Sequence, residues 1–351
     1  MHGRLADPDA TLGTDPRADP RMIAALAPFG MDGRLPVPKA TPDVSLDYRL
    51  ATVASSERRM DGVFDAFADT MPAVKGVATM MTTIPGVDGN DIELSITHPI
   101  APAGELPGVV HFHGGGMTTN SAADAIYTRI RENLADTQLV VIGVEFRNAG
   151  GRLGPHPFPA GLNDCASATR WVYANRTDLG ISHVITCGES GGGNLALTTA
   201  LTAKREGWLD EIAGVYAQCP FLSGRWYDLP DDLPSLREND GYFLTREWMG
   251  LAASLYDPAG ENSQDATCYA GWATDDDLRG LPPHTVSVNE LDPLRDEGLL
   301  YYRRLVRAGV PAVGRIVAGT AHACDLLLGG YLPDVFAASM RDVHGFAASL
   351  T

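Results

Sequence analysis

Ser190, Asp292 and His322 are residues whose types and order along the chain suit acyl transfer. A serine hydroxyl is a poor nucleophile at neutral pH. It needs a histidine to take its proton and a carboxylate to orient that histidine and stabilise it once protonated. Ser190 sits in Gly188-Glu189-Ser190-Gly191-Gly192, between a strand-like apolar run (Val184-Ile185-Thr186-Cys187) and a helix-like run from Asn194 to Lys204. A serine on such a strand-to-helix turn is a nucleophile elbow, in which a strained backbone lifts the hydroxyl clear of the sheet. Glycines at 188, 191, 192 and 193 leave room for that turn.

The elbow pattern alone also occurs in Gly-rich turns without chemistry. It gains weight from His113-Gly114-Gly115-Gly116, which lies 75 residues upstream (188 minus 113) and closes the apolar run Val109-Val110-His111-Phe112. An HGGG element of this kind accompanies the elbow in one broad class of hydrolases, where the triad order is serine, acid, histidine. Three histidines follow Ser190: His284, His322 and His344. His284 opens a predicted strand and His344 falls in the last predicted helix, whereas His322 lies in the loop Gly319-Thr320-Ala321-His322-Ala323 after a strand. His322 is the predicted base. For the acid, the segment from Asn289 to Glu297 follows a strand at 285–288, and a carboxylate at the carboxyl end of a strand faces the site of an open α/β sheet. Asp292 is preferred there over Glu290 and Asp296. Asp296 and Glu297 fall in the following helix, where a helix-start charge or a structural hydrogen bond accounts for them.

These groups must be positioned by a framework. The first 75 or so residues are rich in Asp, Pro, Ala and Arg, with helix-like pieces at 21–27 and 55–68 and no sheet texture. From Asp91 the chain alternates strand-like and helix-like segments: strands at 92–98, 109–113, 139–146, 183–187, 212–218, 285–288 and 313–317, with helices at 162–175, 194–204, 297–308 and 335–350. Helical crossovers between strands imply a doubly wound, mostly parallel sheet. Residues 221–280 interrupt the alternation with Pro230, Pro234 and the aromatics Trp226, Tyr227, Tyr242, Phe243, Trp248 and Tyr256, a composition suited to an inserted lid.

Composition narrows the function classes. The net charge of −17 opposes nucleic acid and anionic membrane surfaces, both of which reward clustered Lys and Arg. The amino terminus lacks a basic region followed by an apolar one, and no apolar run is long enough to span a bilayer, so a soluble cytoplasmic protein is expected. Cys165, Cys187, Cys219, Cys268 and Cys324 are odd in number and lack metal-site spacing, which predicts reduced, mostly buried thiols.

The motifs HFHGGGM at 111–117, GESGGGN at 188–194, DPLRDEG at 292–298 and His322, with HPFPAGLNDC at 156–165, resemble the hormone-sensitive lipase family, the bacterial family IV carboxylesterases. Phe146-Arg147-Asn148-Ala149 is similar to the brefeldin A esterase-like subgroup. The resemblance implies an α/β-hydrolase fold with a helical cap, in which residues 1–75 form an N-terminal cap segment and 76–351 the catalytic domain, with a cap insertion at about 221–280. It implies an oxyanion hole from the backbone N–H groups of Gly115, Gly116 and Gly191, with His113 holding the loop, and it suggests a homodimer. Four positions depart from the family's usual wording: Glu189 where aspartate is common, Gly191 where alanine is usual, and Met117 and Cys324 where aromatics are frequent. The predicted function is hydrolysis of short- to medium-chain carboxylic esters through an acyl-enzyme, without metal or cofactor. Amidase or acyltransferase chemistry on the same triad is the alternative within enzymes, and a non-catalytic small-molecule receptor the alternative outside them.

Overall fold

The computed structural model describes residues 7–36, 44–226 and 229–350. Eight strands form one sheet: β1 (Val77–Pro85), β2 (Asp91–Pro99), β3 (Leu106–Phe112), β4 (Val140–Val144), β5 (Ile181–Glu189), β6 (Gly214–Gln218), β7 (His284–Asn289) and β8 (Ala312–Val317). Their order across the sheet is β1-β2-β4-β3-β5-β6-β7-β8. From β4 to β8 every neighbouring pair is parallel, while β1 and β2 run antiparallel at one edge.

The helices are α1 (Pro20–Leu26), α2 (Leu46–Thr70), α3 (Ala125–Asp136), α4 (Ala160–Ala174), α5 (Gly191–Glu206), α6 (Ser235–Glu238), α7 (Arg246–Tyr256), α8 (Asp275–Leu278), α9 (Arg295–Arg307), α10 (Cys324–Leu327) and α11 (Pro333–Ala348). Successive side chains of a strand point to opposite faces, and here they feed two separate cores. Val110, Ile142, Val215 and Ala217 join one core with Cys165 and Val172 of α4, Leu197 and Leu201 of α5, and Leu305 of α9. Val109, Val141, Ile185 and Tyr216 join the other with Ile130 and Leu134 of α3 and Met340 and Val343 of α11. Both faces of the interior of the parallel sheet are thus covered, as the apolar runs in strands β3 to β7 require, while the edge strand β8 leaves Val313 and Ile316 exposed. This is an α/β-hydrolase fold with a doubly wound, mostly parallel sheet.

Two differences from the sequence reading have physical causes. β1 was not anticipated: as an edge strand it pairs only with β2 and leaves Met80 and Met81 exposed, so no buried alternation marks it. The helix expected at 55–68 runs from 46 to 70, started by the Ser45 hydroxyl, which accepts from Tyr48 N. The interruption at 221–280 adds no strand among the described residues and carries α6, α7 and α8, with α7 packed on α2.

Candidate active site

The elbow is built by β5 running directly into α5. Ser190 stands between them at φ 56° and ψ −119°, a region costly for a residue with a side chain. Three backbone hydrogen bonds hold it there: Ser190 N–H donates to Gln218 O, and Ser190 O accepts from Asn194 N–H and Phe221 N–H. A Cβ on Gly192 would collide with the carbonyls of Phe112 and His113, so α5 begins pressed against the end of β3. Gly191 is equally confined, because a Cβ there would lie 2.5 Å from Met117 N and 2.8 Å from Gly116 Cα. Glycine at 191, where the resemblance has alanine, therefore fits the close approach of the Gly116–Met117 backbone.

The acid and the base come from the loops after β7 and β8. His322 Nδ1 donates to Asp292 Oδ2 at 2.8 Å, and Asp292 Oδ1 accepts from Leu294 N–H at 2.8 Å. The two loops are laced together by Leu291 N–H to Thr320 O at 2.9 Å and Ala323 N–H to Asn289 Oδ1 at 3.1 Å. The neighbouring carboxylates are occupied elsewhere. Glu290 accepts from Gly319 N–H, Asp296 from Ser235 N–H, and Glu297 from Leu222 and Ser223 N–H. Burial pushes the Glu297 carboxyl up to about 7. His284 is buried within β7 with Nδ1 2.6 Å from Pro282 O, and His344 lies on α11. Of the predicted pairings, the structure brings Asp292 and His322 together and leaves the competitors as loop fasteners.

The Gly-rich turn after β3 places Gly115 at φ 108° and Gly116 at φ 63°, left-handed conformations that glycine adopts without penalty. A residue that the sequence reading treated only as a departure fixes this turn: Glu189 Oε1 accepts from Gly114 N–H at 2.5 Å, while Oε2 lies 3.2 Å from His111 Nε2. Its position directly before the serine was the available signal. Glu57 of α2 grips the same region, its two oxygens accepting from Asn120 N–H at 2.9 Å and Arg152 N–H at 2.8 Å. His113 stacks on Phe146 with ring centroids 4.2 Å apart and places Nδ1 2.8 Å from Gly114 O. It braces the loop.

Burial lowers both His113 and His284 to about 4. A histidine neutral in the fold but protonated in the unfolded chain contributes stability that is present above its ordinary value near 6.5 and lost as pH falls toward 4. Glu297, raised in the fold, acts in the opposite sense, its contribution fading as pH rises through about 7. Histidine NMR of the folded protein is therefore expected to show both imidazoles neutral at pH 5.5. A titration of either near 6.5 would contradict the burial argument.

Ser190 and His322 line one cavity of about 430 Å³, and Asp292 does not. Their exposures of 8%, 7% and 0% fit that arrangement, with the acid sealed behind the histidine. The outer walls come from residues 29–36, from Ser56–Phe64 of α2 and from 243–252 around α7. Of the aromatics singled out in the insertion, Phe243 and Trp248 line the cavity, while Trp226, Tyr242 and Tyr256 are buried. Tyr227 lies outside the described residues. All five cysteines are free and buried, and burial holds the Cys324 thiol well above its ordinary value. Among the described residues, Cys219, Asp292 and His322 alone place three possible metal-ligand atoms within 4.8 Å of one another. The 2.8 Å hydrogen bond between two of them already accounts for that proximity.

A family model described as alpha/beta hydrolase fold matches residues 109–326. The chain belongs to the alpha/beta hydrolase fold family, in its hormone-sensitive lipase branch. It is similar to carboxylesterase NlhH of Mycobacterium tuberculosis, with 34% identity over 236 residues, 64% of this chain and 69% of the relative. It is also similar to the solved structure of brefeldin A esterase, described as a bacterial homologue of human hormone-sensitive lipase, with 44% identity, a TM-score of 0.96 and coverage of 99% and 98% of the two chains. The structure of esterase Est22 matches at 34% identity and a TM-score of 0.84, over 96% of this chain and 99% of its own. No helix among the described residues is long and apolar enough to cross a membrane.

Proposed function

We propose that this protein is a serine carboxylesterase acting on short- to medium-chain esters through an acyl-enzyme. The observation that carries the reading is the 2.8 Å hydrogen bond from His322 to the sealed Asp292, with the histidine facing the cavity of the elbow serine. Ser190 Oγ attacks the ester carbonyl as His322 Nε2 takes its proton. The oxyanion of the tetrahedral intermediate accepts hydrogen bonds from the N–H groups of Gly115, Gly116 and Gly191, each such donor supporting the rate by roughly 10²–10³. His322 then passes the proton to the departing alkoxide, the C–O bond breaks, and the alcohol leaves. Water, deprotonated by the same imidazole, releases the acid and restores Ser190.

The cavity supports this range of substrates. At about 430 Å³ and with largely apolar walls it accommodates a small or medium organic group. Residues before 75 and the 221–280 insertion act as the cap, since α2 and α7 supply its outer walls. A fluorophosphonate probe followed by intact-mass measurement and peptide mapping tests the reading. One adduct is expected, on Ser190. Folded protein that takes up no probe, or takes it up on another residue, would overturn the assignment.

A further inference from the structure

Among the described residues, five titratable side chains line the cavity: Glu57, Arg59, Tyr127, Glu189 and His322. Four of them are committed to the protein. Glu57 and Glu189 accept backbone N–H groups, the buried Tyr127 hydroxyl accepts from Asn120 Nδ2 at 3.0 Å, and His322 holds Asp292. Arg59 is different. It lies exposed on α2 at the outer wall, and among the described residues its guanidinium makes a single hydrogen bond, from Nη2 to Ser56 Oγ at 3.3 Å. No carboxylate among the described residues lies within ion-pair distance of it, although the chain carries 17 excess negative charges. A guanidinium has five N–H donors in a planar fork that matches a carboxylate. Most of those donors have no acceptor among the described residues. Ser56, three residues earlier on the same helix, also lines the cavity and adds a hydroxyl beside the fork.

A cavity with mostly apolar walls and, among the described residues, one cation without an ion-pair partner at its outer wall selects for a ligand with an apolar body and an anionic end. We propose that Arg59 receives a carboxylate borne by the substrate at the end remote from the scissile bond, so that the enzyme favours carboxylate-bearing esters over neutral esters of equal length. This rests on the ester-hydrolase reading above. The carboxylate could belong to the acyl part, as in a half-ester of a dicarboxylic acid, or to the alcohol part, as in an acylated hydroxy acid; the recognition is the same. Because Arg59 is solvent-exposed, the contact is partly screened. The overall negative charge slows the approach of any anion equally in wild type and variant, so a substitution isolates the local contact.

The test compares kcat/KM for matched pairs, read by chromatography: monoethyl adipate against ethyl hexanoate and monoethyl suberate against ethyl octanoate on the acyl side, and 6-acetoxyhexanoate against hexyl acetate on the alcohol side. In at least one pair the ratio of charged to neutral substrate is expected to fall about tenfold in Arg59→Gln, to be largely restored in Arg59→Lys, and to shrink in 0.5 M salt. Calorimetric binding of the same half-esters to Ser190→Ala, with and without Arg59→Gln, reads the contact without turnover. Equal ratios and equal binding in both forms would overturn the inference while leaving ester hydrolysis intact. Loss of turnover on every ester, with Arg59-dependent binding retained, would instead remove the hydrolase reading and keep the anion contact.

Discussion

Replacing Ser190 by alanine is expected to lower ester turnover by about 10⁴-fold or more while leaving the fold unchanged. The substitution deletes one oxygen that faces the cavity, so no packed core volume is lost, and alanine bears no larger a backbone penalty at φ 56° than serine does. What disappears is the attacking atom. The glycine N–H groups and the apolar walls remain, so a small residual rate over uncatalysed hydrolysis should persist, because these elements stabilise charge and orient substrate independently of the nucleophile. Initial rates on a p-nitrophenyl ester, with circular dichroism as the control for folding, give the answer. A variant retaining more than a tenth of wild-type activity would show that Ser190 is not the nucleophile.

The second large effect concerns Asp292. Asp292→Asn is expected to lower kcat by about 10⁴-fold with little change in KM. The carboxylate accepts from His322 Nδ1 and, through its other oxygen, from Leu294 N–H. An amide must keep its carbonyl oxygen on Leu294 N–H, since a donor cannot face a donor. Its NH₂ group is then turned toward Nδ1. The imidazole must respond by moving its proton to Nε2, the nitrogen that has to accept the serine proton, and the base is lost although the geometry survives. Glu290→Gln is the matched control. Its carboxylate accepts from Gly319 N–H and faces the Arg17 charge rather than the imidazole, and its activity should stay within about tenfold of wild type. Equal losses in the two variants would mean that Asp292 acts by holding its loop rather than by orienting His322.

Much of the fold is legible in the sequence, and the reason differs by element. The interior parallel strands β3 to β7 carry compact apolar runs because both faces are buried, and each was visible as a run. The elbow and the turn after β3 were visible because strained backbone demands glycine at fixed offsets. Asp292 was preferred to Glu290 and Asp296 for its place after a strand end, and of the three it is the one whose carboxylate meets His322. β1 escaped notice because an exposed edge carries no periodic pattern. Glu189 escaped as a functional group because its partner, Gly114 N–H, is 75 residues away and only the fold brings the two together. Which aromatics of the insertion face the cavity was equally hidden, since Phe243 and Trp248 differ from the buried Tyr242 and Tyr256 only in direction.

The loop that carries His322 is completed by residues from the other end of the sequence. Ala321 N–H donates to Met22 Sδ across 299 residues, Asp19 N–H donates to Gly319 O, and Arg17 reaches Glu238 and Asn239, the latter donating in turn to Asp292 O. At the ordinary pace of translation, about 5–20 residues per second, roughly 15–60 s separate the synthesis of Met22 from that of Ala321. Throughout that interval Met22, Leu26 and Phe67, all fully buried in the finished protein, lack the loop and the helix they pack against. The nascent chain thus carries an apolar amino-terminal segment long before it can carry a finished catalytic loop, so the site is completed only once the two ends of the sequence have both been made.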